Sequence, residues 1–207
     1  MTIDVGANPV QIFAIRHGET AWSLSGQHTG TTDLPLTENG RLLATKLRAV
    51  LAGQSFAAVF VSPMQRARDT CALAGLASTA RVDGDLGEWN YGAYEGLTLA
   101  QIRENAPGWI VFRDGCPGGE SPAQVGARVD RIISRARAVR GDVALFAHGH
   151  VLRVLVARWI GLPPAAGVNF LLDTGSFCVL GHYGDIPAVK TWNAPLSDAP
   201  HGQGRSR

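Results

Sequence analysis

V-Q-I-F-A-I-R-H-G-E-T, the stretch from Val10 to Thr20, indicates the fold more directly than any other part of the sequence. Its apolar run, Val10 to Ile15, is typical of a buried strand, and Arg16-His17-Gly18 ends that run abruptly. A plain turn does not require an arginine and a histidine at this point. We therefore expect a strand whose carboxyl end carries functional side chains.

Two further apolar runs end in the same way. Residues 57–61 are followed by Ser62, with Arg66 about one helical turn later, and residues 142–147 are followed by His148. Ligands of open α/β sheets bind beyond the carboxyl ends of the parallel strands. If the three strands are parallel neighbours, their polar side chains surround a single pocket.

Helical patterns alternate with these strands. The predicted helices run from an N-cap at Thr37 to Gly53, from Ser62-Pro63 to about Ala74, onwards from a capping box at Ser121, and from His148 to about Ile160. Further strands are expected near residues 168–172, 176–182 and 188–192. This alternation indicates an α/β fold, a three-layer sandwich with a mainly parallel central sheet flanked by helices.

The chain is predicted to form a single domain over residues 1–193. Within it, residues 84–119 are rich in glycine and aromatic residues and are expected to form a loop-rich insertion or cap, with at most one short helix near residues 99–104. Residues 194–207 are polar and are expected to be a disordered tail.

The overall charge excludes two classes of binding protein. Nineteen lysines and arginines against 17 aspartates and glutamates give a net charge of +2 in 207 residues. This balance is too even for a nucleic-acid or membrane binder that works through bulk charge. The cations are nearly all arginine, whose planar fork matches phosphate oxygens.

The sequence favours a cytoplasmic location. Residues 1–9 lack the basic and apolar regions of a signal peptide, and no apolar run is long enough to span a membrane. Cys71, Cys116 and Cys178 are odd in number and lack CxxC spacing, so we expect reduced thiols.

The polar residues at the strand ends suit hydrolysis of a phosphate monoester. Imidazole can attack phosphorus and later leave it, and His17 is placed for that role. Arg16 and Arg66 can bind phosphoryl oxygens, and His148 can donate a further, charged hydrogen bond. Gly18 would allow the substrate to approach closely. No spacing of acidic residues and histidines suits a metal ion, and no cofactor is expected.

The motif Arg16–Thr20 resembles the signature of the histidine phosphatase superfamily, which includes the cofactor-dependent phosphoglycerate mutases. The similarity continues in family order through the following motifs: Thr29-Gly30, Leu36-Thr37, Ser62–Ala67, Glu88–Gly92 and Ala147–His150. The resemblance implies a phosphoglycerate mutase-like fold. It also implies that His17 is the nucleophile, that Arg16, Arg66 and His148 hold the phosphoryl group, and that Glu88 is the general acid.

Other carboxylates compete with Glu88 for the role of the acid, namely Glu95, Glu19, Glu120 and Asp33. Ser23 departs from the family pattern, because mutases and many phosphatases of the family carry an asparagine phosphate ligand there. His150 is either a residue that supports the site or simply part of the first turn of its helix.

Three segments resemble a narrower branch that includes sedoheptulose-1,7-bisphosphatase: Ser25–Gly30, Trp89–Gly92 and Asp114–Ser121. This resemblance implies a small sugar phosphate or bisphosphate as the partner. The candidate substrate-binding residues are Ser23, Gln27, His28, Thr29, Gly30, Ser62, Tyr91 and Gly149, with Arg103, Arg113 and Arg153 as possible further cations. Gln27, His28 and Thr29 offer an amide, an imidazole and a hydroxyl to the remote end of the substrate.

Two alternatives remain open at this stage. A phosphoglycerate mutase would return the phosphoryl group to the substrate, but such mutases are usually longer and carry more basic residues in the middle insertion. A catalytically inactive phosphate-binding module is the alternative from another class. The complete set of His17, Arg16, Arg66, Glu88 and His148 argues against it. The oligomeric state is not predicted.

Overall fold

A computed structural model describes residues 9–195. The segments 1–8 and 196–207 lie outside the described residues. The predicted absence of a signal peptide and most of the predicted disordered tail therefore fall outside them as well.

The centre of the molecule is a six-stranded mixed sheet with the strand order β3-β2-β4-β1-β5-β6. The strands are β1 (Ile12–Arg16), β2 (Phe56–Val61), β3 (Ala80–Val82), β4 (Asp142–Ala147), β5 (Phe177–Tyr183) and β6 (Ile186–Ala194). Strands β1 to β4 pair in parallel, whereas β5 is antiparallel to β1 and β6 is antiparallel to β5. The predicted, mainly parallel sheet is thus confirmed.

Helices cover both faces of this sheet. They are α1 (Ala21–Ser25), α2 (Glu38–Val50), α3 (Gln65–Leu73), α4 (Leu99–Asn105), α5 (Val111–Asp114), α6 (Pro122–Arg137) and α7 (Gly149–Trp159). Helices α2 and α3 pack on one face, and α6 and α7 pack on the other. Within residues 9–195, no helix is both long and apolar enough to cross a membrane.

The central strands are apolar without interruption because both of their faces are buried. Ile12 and Ala14 of β1 belong to the core beneath α6 and α7, whereas Phe13 and Ile15 belong to the core beneath α2 and α3. Strand β4 alternates in the same way. Two buried faces require a continuous apolar run rather than an alternating one.

Two predicted helix starts are confirmed in detail. The Thr37 hydroxyl accepts a hydrogen bond from the Gly40 amide at 3.0 Å and caps α2. The Ser121 hydroxyl accepts from the Gln124 amide, while the Gln124 side chain accepts from the Ser121 amide at 2.8 Å. This reciprocal pair is the capping box expected at the start of α6.

The predicted helix start at Ser62 is wrong. Helix α3 begins at Gln65, and its N-cap is Met64. The Ser62 hydroxyl instead forms a 2.7 Å hydrogen bond with Nε2 of His148. That bond places Ser62 in the site at the strand ends.

The strand predicted at residues 168–172 is also wrong. A 3₁₀ helix spans Pro164–Asn169, and an irregular segment leads from it to β5. Side chains occupy the carbonyl groups that a strand would need: Arg153 donates to the carbonyls of Gly167 and Val168, and Trp192 donates to that of Leu171. The short elements β3, α1 and α5 were not predicted.

The insertion at residues 84–119 contains more helix than expected. Helix α4 confirms the predicted short helix, but α5 and 3₁₀ turns at Gly84–Leu86 and Gly92–Tyr94 are additional. At the other end of the chain, β6 extends through Ala194, one residue past the predicted domain boundary.

Candidate active site

The carboxyl ends of β2, β4 and β1 lie side by side, as the sequence pattern required. Arg16 is level with Ala147 in the parallel pair of β1 and β4, and the His17 amide donates to the Ala147 carbonyl at 3.0 Å. The Ser62 amide donates to the Phe146 carbonyl at 2.9 Å. We call Arg16, His17, Ser62, Arg66 and His148 the strand-end cluster.

His17 is held as a neutral imidazole of one tautomer. Its Nδ1 lies 2.7 Å from the Gly18 carbonyl oxygen, and because that oxygen can only accept, Nδ1 carries the proton. Burial lowers the pKa of His17 well below its ordinary value, and the charges of Arg16 and Arg66 lower it further. Nε2 therefore keeps a free lone pair.

Gly18 packs tightly against the start of α2. A Cβ added at Gly18 would lie 2.4 Å from the Gly40 carbonyl oxygen at the start of α2. No side chain fits at this position. The tight contact holds the main chain that carries the carbonyl bonded to His17.

His148 is also neutral. Arg66 Nε donates to His148 Nδ1 at 3.1 Å, so the ring proton is on Nε2, which contacts Ser62. Burial, followed by the charge of Arg66, lowers the pKa of His148 well below its ordinary value. Any hydrogen bond that His148 donates from this state is uncharged, which differs from the sequence expectation.

Arg66 is fully buried and nearly saturated with partners. Its guanidinium donates to His148 and to the carbonyls of Thr29, Gly30 and Thr32, at distances of 3.0 to 3.2 Å. Since a guanidinium has five N–H groups, these four bonds leave one free. The segment 29–32 is therefore fixed against the strand-end cluster.

Arg16 has unused hydrogen-bonding capacity. Its NH1 donates to the Leu172 carbonyl, whereas its buried Nε has no partner in the described part of the chain. A Cβ at Gly149 would lie 3.3 Å from the Arg16 guanidinium carbon, so the glycine makes room for this side chain. A buried, unpaired cationic N–H is costly and suits an anionic ligand.

Glu88 is anchored by main-chain amides at the N-terminus of α7. Its carboxylate accepts from the amides of His150 at 2.9 Å, Val151 at 3.0 Å and Trp89 at 2.9 Å. The carboxylate also borders the same pocket as His17. The Glu88 carboxylate and the His17 imidazole therefore border the same pocket.

The rival carboxylates all have structural partners. Glu95 accepts hydrogen bonds from the main-chain amides of Gly30 and Thr32, and Asp33 accepts one from the main-chain amide of Gln65. Glu19 accepts from the side chains of Thr37 and Asn39. Glu120 accepts from the Arg128 side chain and the Asn90 main-chain amide. Glu88 is the carboxylate that borders the pocket within residues 9–195. This arrangement separates the candidates that sequence reasoning left open.

The pocket has a volume of about 230 Å³ and contains most of the predicted site residues. Those bordering it are Arg16, His17, Ser23, Gln27, His28, Thr29, Glu88, Tyr91 and Gly149. Gly30, Ser62, Arg66 and His148 do not border it but lie in or against the strand-end cluster. Arg153, one of the three further cations named from the sequence, and His150 also line it, whereas Trp22, Gly26 and Leu172 were not predicted.

Most side chains of the loop that follows His17 form hydrogen bonds with the protein itself. The Gln27 amide donates to the Gly96 carbonyl at 2.8 Å, His28 Nδ1 to the Leu97 carbonyl at 2.8 Å, and the Thr29 hydroxyl to Gln27. The Ser23 hydroxyl is part of the capping box of α1 with Thr20. Of these groups, Nε2 of His28 has no hydrogen-bond partner within residues 9–195.

One side of the pocket is a set of rings with a cation, which we call the aromatic wall: His28, Tyr91, His150 and Arg153. The Tyr91 hydroxyl lies 2.6 Å from His150 Nδ1. Burial raises the pKa of Tyr91 and lowers that of His150, so both groups are neutral. His150 thus supports the site, one of the two roles considered for it.

Arg153 brings a second free cation to the pocket. Its Nε and NH2 donate to the carbonyls of Gly167 and Val168 at 3.1 Å, and its guanidinium lies 4.4 Å from the centre of the Phe112 ring. NH1 has no acceptor within the described residues. In the same residues, no group of three or more His, Cys, Asp or Glu side chains is arranged to hold a metal ion.

Comparison with known proteins gives a consistent result. The family model of the histidine phosphatase superfamily (branch 1) matches residues 12–195. The chain is 43% identical over 186 residues to an acid phosphatase of Mycobacterium tuberculosis, covering 86% of this chain and 89% of that protein. It is 38% identical over 180 residues to the sedoheptulose 1,7-bisphosphatase of Saccharomyces cerevisiae, covering 72% and 66% of the two chains.

The fold comparison agrees. A solved structure of an open reading frame from Mycobacterium tuberculosis superposes with a TM-score of 0.85 at 39% identity, covering 90% of this chain and 98% of that one. The phosphoglycerate mutase-like α/β fold expected from the sequence is therefore confirmed.

Proposed function

The chain belongs to the histidine phosphatase superfamily and is a phosphatase, and we propose that it hydrolyses sugar phosphates through a phosphohistidine on His17. The observation that carries this proposal is the hydrogen bond from His17 Nδ1 to the Gly18 carbonyl. It leaves a lone pair on Nε2 of a neutral, buried imidazole that borders the same pocket as Glu88. A nucleophile needs that lone pair.

In the first step, Nε2 of His17 attacks phosphorus and the bond to the leaving alkoxide oxygen breaks. Arg16 offers its unpaired Nε to the phosphoryl oxygens, and Arg66 contributes the positive charge of its buried guanidinium in the strand-end cluster. Negative charge develops on these oxygens in the transition state, so fixed cations accelerate the step. Protonated Glu88 gives its proton to the alkoxide.

In the second step, the Glu88 carboxylate takes a proton from water, and the resulting nucleophile attacks the phosphohistidine. The nitrogen–phosphorus bond breaks, inorganic phosphate forms, and His17 is restored with its lone pair. The bonds from α7 and Trp89 hold the Glu88 carboxyl group in place for both transfers. The arginines supply the positive charge, so the proposed mechanism uses no metal ion and no cofactor.

The aromatic wall supports a polyhydroxylated substrate with a second anionic group. NH1 of Arg153 is available to a second phosphate. Nε2 of neutral His28 can accept from a sugar hydroxyl, since Nδ1 of that ring donates to Leu97. We assign the Tyr91 hydroxyl as the donor to His150 Nδ1, which leaves a His150 N–H to donate. The similarity to sedoheptulose 1,7-bisphosphatase supports the same substrate class.

A direct assay separates this function from the alternatives. The purified enzyme, in buffer containing EDTA, is given sugar monophosphates, sugar bisphosphates and 3-phosphoglycerate, and both free phosphate and phosphoryl transfer between substrates are measured. We expect phosphate release, fastest with a sugar bisphosphate. Phosphoryl transfer without net release would indicate a mutase, and phosphate binding without turnover would indicate an inactive module.

We also infer that the protein works in the cytoplasm on small phosphorylated molecules, without nucleic acid or membrane partners. All three cysteines are free, and burial raises the pKa of each thiol to about 12. Thiols of this kind are unreactive structural residues, which fits a reducing compartment.

A further inference from the structure

Arg128 of α6 is a buried arginine whose donors are all in use. The residue is 8% exposed. Nε and NH2 donate hydrogen bonds to the two carboxylate oxygens of Glu120, at 2.8 and 3.1 Å. NH1 donates to the carbonyls of Asp85 and Gly87 at 2.6 and 2.7 Å, and NH2 also donates to the carbonyl of Glu88 at 3.1 Å. These bonds use all five N–H groups of the guanidinium.

Glu120 holds the residues on the other side of Glu88. Its carboxylate accepts from the Asn90 amide at 2.9 Å, and its own amide donates to the Asn90 carbonyl at 2.9 Å. Its carbonyl accepts from the Trp89 indole at 2.8 Å. The main chain is therefore fixed immediately before and immediately after Glu88.

We propose that Arg128 and Glu120 form a positioning pair that sets the reach of Glu88 for proton transfer. The inference rests on the proposed function, in which Glu88 is the general acid and base. The carboxyl end of Glu88 is fixed by α7 and its main-chain end by the pair. A general acid must lie within hydrogen-bond reach of the leaving oxygen, so a small shift of either end slows that step.

The pair acts through Glu88, since neither of its members borders the pocket. Lysine cannot replace Arg128, because three donors on a single nitrogen cannot grip a carboxylate and three carbonyls together. A merely structural ion pair would predict a different result, namely lower stability and equal losses on all substrates. The dependence on the leaving group separates the two roles.

The test compares kcat/KM for p-nitrophenyl phosphate with that for the sugar phosphate which the wild type hydrolyses fastest. Nitrophenolate leaves without a proton, whereas a sugar alkoxide needs one. We expect Arg128→Met and Arg128→Lys to lower the sugar-phosphate value by about 10- to 100-fold, as expected for a misplaced catalytic group. The p-nitrophenyl phosphate value should fall less than about 3-fold.

Arg131→Met is the matched control. Arg131 lies on the same helix, and within residues 9–195 its side chain hydrogen-bonds to the Asp85 carboxylate alone, at 2.5 and 3.1 Å. Both kcat/KM values should remain at the wild-type level. If Arg128→Met fails to fold, Glu120→Gln provides the same comparison, because the amide loses one acceptor for Arg128 while keeping its shape.

A double-mutant cycle decides whether the effect passes through Glu88. In a Glu88→Gln background, Arg128→Met should cause no further loss on the sugar phosphate. Equal losses on both substrates, or losses that multiply in the double variant, would overturn the positioning role. If Glu88→Gln itself fails to discriminate between the substrates, both this inference and the proposed role of Glu88 fall. If Glu88→Gln lowers the sugar-phosphate value selectively but the Arg128 variants do not, only this inference is overturned.

Discussion

The strand-end cluster and the aromatic wall are built on different principles. In the cluster, charged and polar side chains from the ends of three strands and from the first turn of α3 are paired with one another and with main-chain carbonyls. In the wall, His28, Tyr91 and His150 contact one another at ring separations of 4.8 to 5.9 Å, beside the partly free Arg153. The wall comes from loops and from α7.

This difference indicates a division of labour. The cluster is rigid, charged and set by the sheet, so it suits chemistry that is common to every phosphomonoester. The wall is neutral apart from Arg153 and lies on elements that can vary without disturbing the sheet, so it suits recognition of the rest of the substrate. Variants in the two regions should therefore fail in different ways.

The largest effect should come from the centre of the cluster. His17→Ala removes the nucleophile, so turnover of sugar and aryl phosphates alike should fall to background in a phosphate-release assay. His182→Ala is the matched control, because His182 packs against Trp159 and does not border the pocket. Substantial residual turnover in a folded His17→Ala variant would contradict the proposal that the cluster carries out the chemistry common to all phosphomonoesters.

Glu88 stands between the two regions and should show a split effect. Glu88→Gln keeps the shape but cannot donate a proton, so kcat/KM for a sugar phosphate should fall by about 10²- to 10⁴-fold. The value for p-nitrophenyl phosphate should fall much less. The exposed Glu104 of α4, replaced by glutamine, should change neither value. Equal losses on both substrates would remove Glu88 from the acid role.

A smaller and more selective effect is expected in the wall. Arg153→Met removes a charge-assisted hydrogen bond, which should lower kcat/KM for a sugar bisphosphate by about 10- to 100-fold. Monophosphates should change by less than about 3-fold. Arg103→Met is the control, since Arg103 also donates to a main-chain carbonyl but lies outside the pocket. An equal fall in kcat/KM for mono- and bisphosphates would contradict the separate roles of the cluster and the wall.

The buried neutral histidines predict how stability depends on pH. The pKa values of His17, His148 and His150 are lowered in the folded protein, so between those values and about 6.5 the unfolded chain binds more protons. Stability should therefore be complete above pH 6.5 and fall as pH decreases, by at most about 1.4 kcal/mol per pH unit for each histidine. Urea unfolding at pH 7.5, 6.0 and 5.0 measures it. A constant free energy of unfolding would contradict the neutral rings.

The fold and the strand-end cluster were predictable because they depend on local patterns. Continuous apolar runs ending in Arg16-His17 and in His148 indicate buried strands with functional ends, and the parallel pairing of β1 with β4 then brings those ends together. The apolar run near residues 168–172 wrongly predicted a strand, for a reason that the sequence does not reveal. Its carbonyl groups are bound by side chains that are distant in the chain.

The wall was less predictable because its composition depends on orientation. Gln27 and His28 do border the pocket, but their side chains also bind the main chain of residues 96–97, which the sequence does not indicate. The sequence identified Arg153 as a candidate cation but could not show that its guanidinium lies at the pocket, because the position of that side chain depends on how α7 packs. Glu88 was identified by resemblance, and the partners of its rivals became visible only in three dimensions.

The covalent step at His17 is the central claim, and rapid acid-free quenching tests it most directly. Wild-type enzyme mixed with ³²P-labelled substrate, quenched in alkali within the first turnover, should carry label that survives base and is released by acid, and peptide mapping should place it on His17. The His17→Ala enzyme should carry none. Turnover by the wild type with no such label at any quench time, or with label on another residue, would contradict the account.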